Sequence, residues 1–224
     1  MPRKEEPGNL WIAKVLYDLG GVQFGDFSLG RSTRHSPIYI NPRLLVSNPK
    51  NMKRIARILD EEVQAKLEKA NPEMSPFELV AGVPYGGLHM ATAFSLKTNT
   101  PLVYVNPRDD TEKRDHIEGR YKVGQRVLLI DDLMTTGGSI LENARAFSKA
   151  YVDVRDVLVL IDRDQGGRER LKAQGLNVVS LLNLRVMLTY YMSIHYITEN
   201  WYHKCNEYLN AHRYTGAEAE SDGN

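Results

Sequence analysis

The chain contains a single cysteine, Cys205, among 224 residues. No intramolecular disulfide can form and Cys-rich metal sites are excluded, a composition that suits a reducing cytosol and predicts a cytoplasmic protein. Charge of neither sign dominates: 29 Lys plus Arg stand against 28 Asp plus Glu, a formal net charge of +1. Bulk attraction to nucleic acid or to a membrane surface is therefore not expected. No apolar run approaches the ~20 residues that a membrane-spanning helix needs, and the charged opening MPRKEEPGNL lacks the apolar stretch of a secretory signal. Two nucleotide-binding patterns are missing as well, G-x-x-x-x-G-K-[ST] and a G-x-G-x-x-G after a strand. There is no internal repeat and no low-complexity tract.

What the chain does have is enough length and apolar content to bury a full core in one domain. Short runs rich in Val, Leu and Ile at 77–83, 101–105, 126–131, 154–162 and 177–184 alternate with helix-period segments. That alternation predicts an α/β fold with a doubly wound, mostly parallel sheet. Between 48 and 70, Met52, Ile55, Ile58, Leu59, Val63 and Leu67 fall on one helical face, and Pro49 suits the first turn. Further helices are predicted at 86–97, 138–150 and 167–174. The charged connection 106–125 is long for a plain loop and reads as a flexible flap leading into a β-hairpin. The expected organisation is one domain over 1–210, with a small cap built from the two chain ends, and a disordered tail over 211–224.

The stretch VLLIDDLMTTGGSI, residues 127–140, carries the chemistry. Asp131 and Asp132 stand at the carboxyl end of a predicted strand, where open α/β sheets bind ligands. Thr135, Thr136, Gly137, Gly138 and Ser139 follow with hydroxyls and unobstructed backbone N–H groups at the start of a helix, a setting that attracts phosphate. Two carboxylates cannot favour that same phosphate, but they can accept hydrogen bonds from ligand hydroxyls or help hold Mg²⁺. The combination points to a sugar phosphate. The plainer alternative is a Gly-rich turn with an Asp helix cap, against which a second adjacent carboxylate counts, because repulsion is costly without a partner.

VLLIDDLMTTGGS resembles the phosphoribosyl-pyrophosphate (PRPP) motif of type I phosphoribosyltransferases. FGDFSL, SPIYIN, AGVPYGGLHMAT, IEG and LIDRDQGG are similar, in order and spacing, to segments of the orotate phosphoribosyltransferases. The resemblance implies a type I fold and a Mg²⁺-dependent transfer of ribose 5-phosphate from PRPP to N1 of orotate, giving orotidine 5'-monophosphate and pyrophosphate. It implies that Asp131 and Asp132 contact the ribose hydroxyls, that 135–139 hold the 5'-phosphate, and that Tyr85, Gly86 and Gly87 form the pyrophosphate loop. Arg163 is implied on the base, with Tyr39 of SPIYIN and Arg31 as further base-binding candidates.

Two departures from the family pattern bear on function. Gly30 and Arg31 stand where the family carries a lysine, and the flap reads Val105, Asn106, Pro107, Arg108, Asp109, Asp110 where a basic cluster is usual. Departing pyrophosphate needs positive charge, and Arg108, Lys113, Arg114 and His116 are the catalytic candidates by charge and position. Family members lend the flap across a subunit interface, so a homodimer is expected. The rival readings are a divergent enzyme using another nucleobase and a PRPP-sensing regulator without catalysis. Tyr190, Tyr191, Tyr196, Trp201, Tyr202 and Tyr208, at helical spacing, read as core or dimer packing.

Overall fold

The computed structural model describes residues 8–29, 33–106 and 116–214. The chain enters through α1 (Leu10–Asp18), an antiparallel hairpin of β1 (Val22–Leu29) and β2 (Thr33–Ile40), and a short 3₁₀ helix, Pro42–Ser47. Then α2 (Pro49–Leu67), β3 (Leu79–Gly82), α3 (Gly86–Thr98) and β4 (Leu102–Asn106) follow. After the flap come β5 (His116–Glu118), β6 (Arg126–Met134), α4 (Gly138–Lys149), β7 (Asp153–Asp162), α5 (Gly167–Ala173) and β8 (Asn177–Asn183). Two helices close the chain, α6 (Leu184–Ser193) and α7 (Glu199–Ala211).

Strand order in the six-stranded sheet is β5-β4-β3-β6-β7-β8. All pairs are parallel except β4 with β5, where Asn106 pairs with His116 in the hairpin expected at the flap. The chain winds outward from β3 to β4 and then, from β6, to β7 and β8 on the other side. The sheet's topological switch point therefore lies between β3 and β6, and their carboxyl ends open the crevice where such sheets bind ligands.

Alternation along β6 explains the double winding. Leu128 and Ile130 join the cluster under α2, α3 and α6, while Val127 and Leu129 join the one under α4 and α5. Each face is buried, so the strand reads as an unbroken apolar run. Helix α2 buries Ile55, Leu59 and Val63 in the first of these clusters, and the Asn48 side chain accepts from the Lys50 amide at 2.9 Å, capping the first turn next to Pro49.

The chain ends pack together. Ile12 and Leu16 of α1 are fully buried with Leu188 and Tyr191 of α6 and Leu209 of α7, each such side chain stabilising the fold by about 1.5–3 kcal/mol. The Tyr191 hydroxyl donates to the Ala13 carbonyl at 2.7 Å, and its ring lies 5.3 Å from that of Tyr17. The aromatic stripe is thus largely packing. Residues 211–214, expected in a disordered tail, are instead held: Ala211 ends α7 and the Tyr214 amide donates to the Gln165 carbonyl at 3.0 Å. Residues 215–224 lie outside the described part.

Candidate active site

The site is built where the turn after β3 meets the end of β6. Its fit depends on two glycines. A β-carbon on Gly86 would lie 2.2 Å from the Asp132 carboxyl carbon, and one on Gly87 would lie 2.4 Å from the Ile130 carbonyl oxygen. Only bare backbone can come so close. Tyr85 precedes them and is 67% exposed; the Pro84–Tyr85 peptide is cis.

Asp131 and Asp132 lie inside β6 rather than beyond it, because pairing with β7 continues through Asp131–Val159 to Met134–Asp162. Both are buried. The Asp131 Oδ1 accepts from the Asp132 amide at 2.9 Å. Burial, reinforced by the neighbouring Asp132 charge, pushes the Asp131 carboxyl well above the ordinary carboxylate range. Burial also raises Asp132, opposed by the shared hydrogen bond with Asp131 and by the positive charge of Arg43 in the 3₁₀ helix. Two carboxyl groups held in this way, with no lysine or arginine in an ion pair with them among the described residues, form a site that gains from a hydroxyl donor or a cation.

Directly beyond them, residues 135–137 bend into α4. Gly137 adopts φ 77°, ψ 12°, and no side chain caps the helix. Its first N–H groups are left for a ligand. Thr135, Thr136 and Gly138 are partly buried and Ser139 is exposed. The turn begins three residues after Asp132 in the chain.

Arg163 follows β7 and is 4% exposed, although alone it reads as a surface ion-pair residue. Its neighbours pair elsewhere: Asp162 with Arg168 at 3.5 Å and Asp164 with Arg185. The Arg163 Nη2 donates to Ser36 Oγ at 3.1 Å, and its Nε has no partner. Burial lowers its pKa, with Tyr208 and Cys205 of α7 among the groups around it. Among the described residues Arg163 has no counter-charge. A buried guanidinium of this kind calls for an anionic or carbonyl-edged ligand.

Tyr39 packs its ring on Phe27, 5.7 Å between centroids, and has no hydrogen bond or ring contact with Arg163 among the described residues. Arg31, Arg108, Lys113 and Arg114 lie outside the described residues, and of His116 only the backbone, in β5, is described. Among the described residues, no group of three or more His, Cys, Asp or Glu is placed to hold a metal ion. Any metal here would depend on the two carboxylates together with ligand oxygens. Sequence reasoning missed Arg43, whose charge acts on Asp132 from 89 positions upstream, and the α7 residues behind Arg163.

A switch-point crevice with a paired carboxylate and an uncapped glycine turn defines the phosphoribosyl transferase class, and the family model "Phosphoribosyl transferase domain" matches residues 45–179. The orotate phosphoribosyltransferase of Pyrococcus furiosus is 36% identical over 176 residues, 76% of this chain and 90% of that one. The crystal structure of orotate phosphoribosyltransferase from Aeropyrum pernix superposes with TM-score 0.70 at 31% identity, covering 84% of this chain and 99% of that one. The UMP synthase of Leishmania donovani superposes with TM-score 0.79 at 32% identity over 91% of this chain, which spans 42% of that longer protein. The chain belongs to the orotate phosphoribosyltransferase family of type I phosphoribosyltransferases.

Proposed function

We propose that this protein is an orotate phosphoribosyltransferase of pyrimidine nucleotide biosynthesis, joining orotate to the ribose 5-phosphate of PRPP. The observation that carries the reading is the buried Asp131–Asp132 pair, closely approached by the bare Gly86 backbone and followed in the chain by the uncapped start of α4. The 5'-phosphate sits in the 135–139 turn, the ribose hydroxyls donate to Asp131 and Asp132, and the pyrophosphate lies against Tyr85, Gly86 and Gly87. The carboxylate of orotate meets Arg163, which accounts for a buried cation that has no counter-charge among the described residues and an unpartnered Nε.

In the reaction the C1–O bond to pyrophosphate breaks and N1 of orotate supplies the electron pair of the new C1–N bond. The N1 proton passes to pyrophosphate or solvent. The protein's part is to hold the two reactants in line and to leave the carboxylates near the positive charge that grows on the ribose. Cations on the flap, Arg108, Lys113, Arg114 and His116, meet the departing pyrophosphate in this reading, with Arg31 and Tyr39 beside the base. The cations are supported by charge and position in the sequence, and Tyr39 by its place in the SPIYIN segment.

Magnesium fits the donor set, since it is commonly bound by one or two carboxylates together with substrate phosphates. Asp131 and Asp132 would hold it, and the ion supplies neutralisation of the pyrophosphate charge. Residues 1–210 act as one catalytic unit, supported by a hydrophobic cluster that includes residues of α1, the sheet and α7. A homodimer with the flap shared between subunits is the proposed assembly. Cytoplasmic location is supported by the single buried cysteine, and no helix among the described residues is long and apolar enough to cross a membrane.

A second reading, a divergent enzyme for another base, is favoured only by Gly30 and the altered flap. One assay separates the two. Pure protein with Mg²⁺ and PRPP should consume orotate, seen as loss of its absorbance, and should use uracil poorly because uracil offers Arg163 no carboxylate. Faster use of another base, or PRPP binding without orotate turnover, rejects the proposal.

A further inference from the structure

Arg170 of α5 lies beside the phosphate turn and belongs to none of the motifs discussed so far. Its guanidinium carbon is 4.6 Å from the centroid of the Tyr214 ring, and its Nη1 donates to the Thr136 carbonyl at 3.4 Å. The same Nη1 is 4.0 Å from where a β-carbon on Gly138 would stand. Among the described residues Arg170 has no carboxylate partner, so its charge is not spent on an ion pair.

Tyr214 is itself clasped. Its amide donates to the Gln165 carbonyl at 3.0 Å, and Arg213 pairs with Glu169 at 2.6 Å. A β-carbon on Gly166 would lie 2.7 Å from the Tyr214 carbonyl oxygen, so the strap lies directly on glycine backbone. Residues 213–214 are therefore bound to the 165–170 segment.

The consequence follows from the peptide plane. In a trans peptide the carbonyl and the next N–H point in opposite directions. Holding the Thr136 carbonyl towards Arg170 turns the Gly137 N–H away from Arg170. We propose that Arg170 is a positioning residue for the sugar 5'-phosphate, fixing the Thr136–Gly137 peptide and adding positive charge behind it, and that Arg213 and Tyr214 form the strap that holds it. This rests on the reading of 135–139 as the phosphate turn, but not on the identity of the base.

The test measures equilibrium binding of ribose 5-phosphate by calorimetry, and KM for PRPP and for orotate separately, on the full chain. Arg170→Gln is expected to weaken ribose 5-phosphate binding and raise KM for PRPP roughly ten-fold, with KM for orotate unchanged. Tyr214→Ala should give about a three- to five-fold loss, Tyr214→Phe should restore wild-type affinity, and the double variant should be no weaker than Arg170→Gln alone. Arg170→Lys, which keeps charge without the planar donor pair, should fall between; it also serves if Arg170→Gln does not fold. Unchanged sugar-phosphate affinity in folded Arg170 and Tyr214 variants overturns the proposal, as does an equal rise in both KM values. A wild-type protein that binds no ribose 5-phosphate overturns the phosphate turn and the strap together.

Discussion

Gly86 and Asp132 are so close that a single methyl group at position 86 would overlap the carboxylate, at 2.2 Å from both Cγ and Oδ2. The start of α3 and the end of β6 are thus fitted to each other through an absent side chain, and the crevice between them is as narrow as backbone allows. Gly86→Ala must displace Asp132 and should abolish turnover at a stability cost of about 1–3 kcal/mol. Gly87→Ala should cost more, since its β-carbon would meet the backbone oxygen of Ile130 at 2.4 Å, which cannot rotate away. Thermal denaturation beside an activity assay checks both.

Burial of the Asp131 carboxyl makes stability depend on pH. Its folded pKa is raised, so the native state keeps a proton that the unfolded chain releases at ~pH 4. Stability therefore falls as pH rises from the ordinary carboxylate range through the raised folded value, and the cost is fully present above it. Asp131→Asn keeps the oxygen that accepts from the Asp132 amide and removes this cost. At pH 8 its melting temperature should exceed the wild type's, by about 2–4 °C for each kcal/mol recovered, while turnover is lost. In the wild type, PRPP affinity should decline on acidification, beginning above ~pH 4.

Arg163 is the corresponding case for a cation. A methionine would fill the same space without an unpaired buried Nε, which costs about 1–3 kcal/mol when left unsatisfied. Arg163→Met should be at least as stable as the wild type, while KM for orotate rises about 10- to 100-fold and PRPP affinity stays constant. A drop in PRPP affinity of the same size would show that Arg163 does not act on the base.

Arg185 holds the loop that carries Arg163. It bonds Asp164, and its two Nη atoms donate to Asn206 at 3.0 Å and Asn210 at 2.8 Å on α7. Arg185→Ala frees these partners and should destabilise the fold by about 2–3 kcal/mol. A raised KM for orotate with unaltered PRPP affinity in calorimetry is the expected functional trace.

The sheet was legible because its strands are buried on both faces and so appear as apolar runs; the predicted stretch 177–184 became Asn177–Asn183 and 154–162 became Asp153–Asp162. Strand β6 was read too short because Asp131 and Asp132 look like a strand's end, whereas pairing with β7 carries it to Met134. The turn proposed to hold phosphate was noticed in the sequence because its glycines and hydroxyls are contiguous. Nothing local marks the Ser36 hydroxyl as a partner of Arg163, 127 positions away, or Tyr214 as the support of Arg170. Such contacts join segments far apart in the chain, and periodicity reports only which face of an element is apolar.

The central claim is that this crevice moves ribose 5-phosphate from pyrophosphate to orotate. Phosphorus NMR of the protein with Mg²⁺, PRPP and orotate follows both products at once. The account predicts that pyrophosphate and a nucleotide 5'-phosphate signal grow in equal amounts, only when orotate is present. Pyrophosphate released without a matching nucleotide signal, or PRPP left intact at saturating orotate, would contradict it.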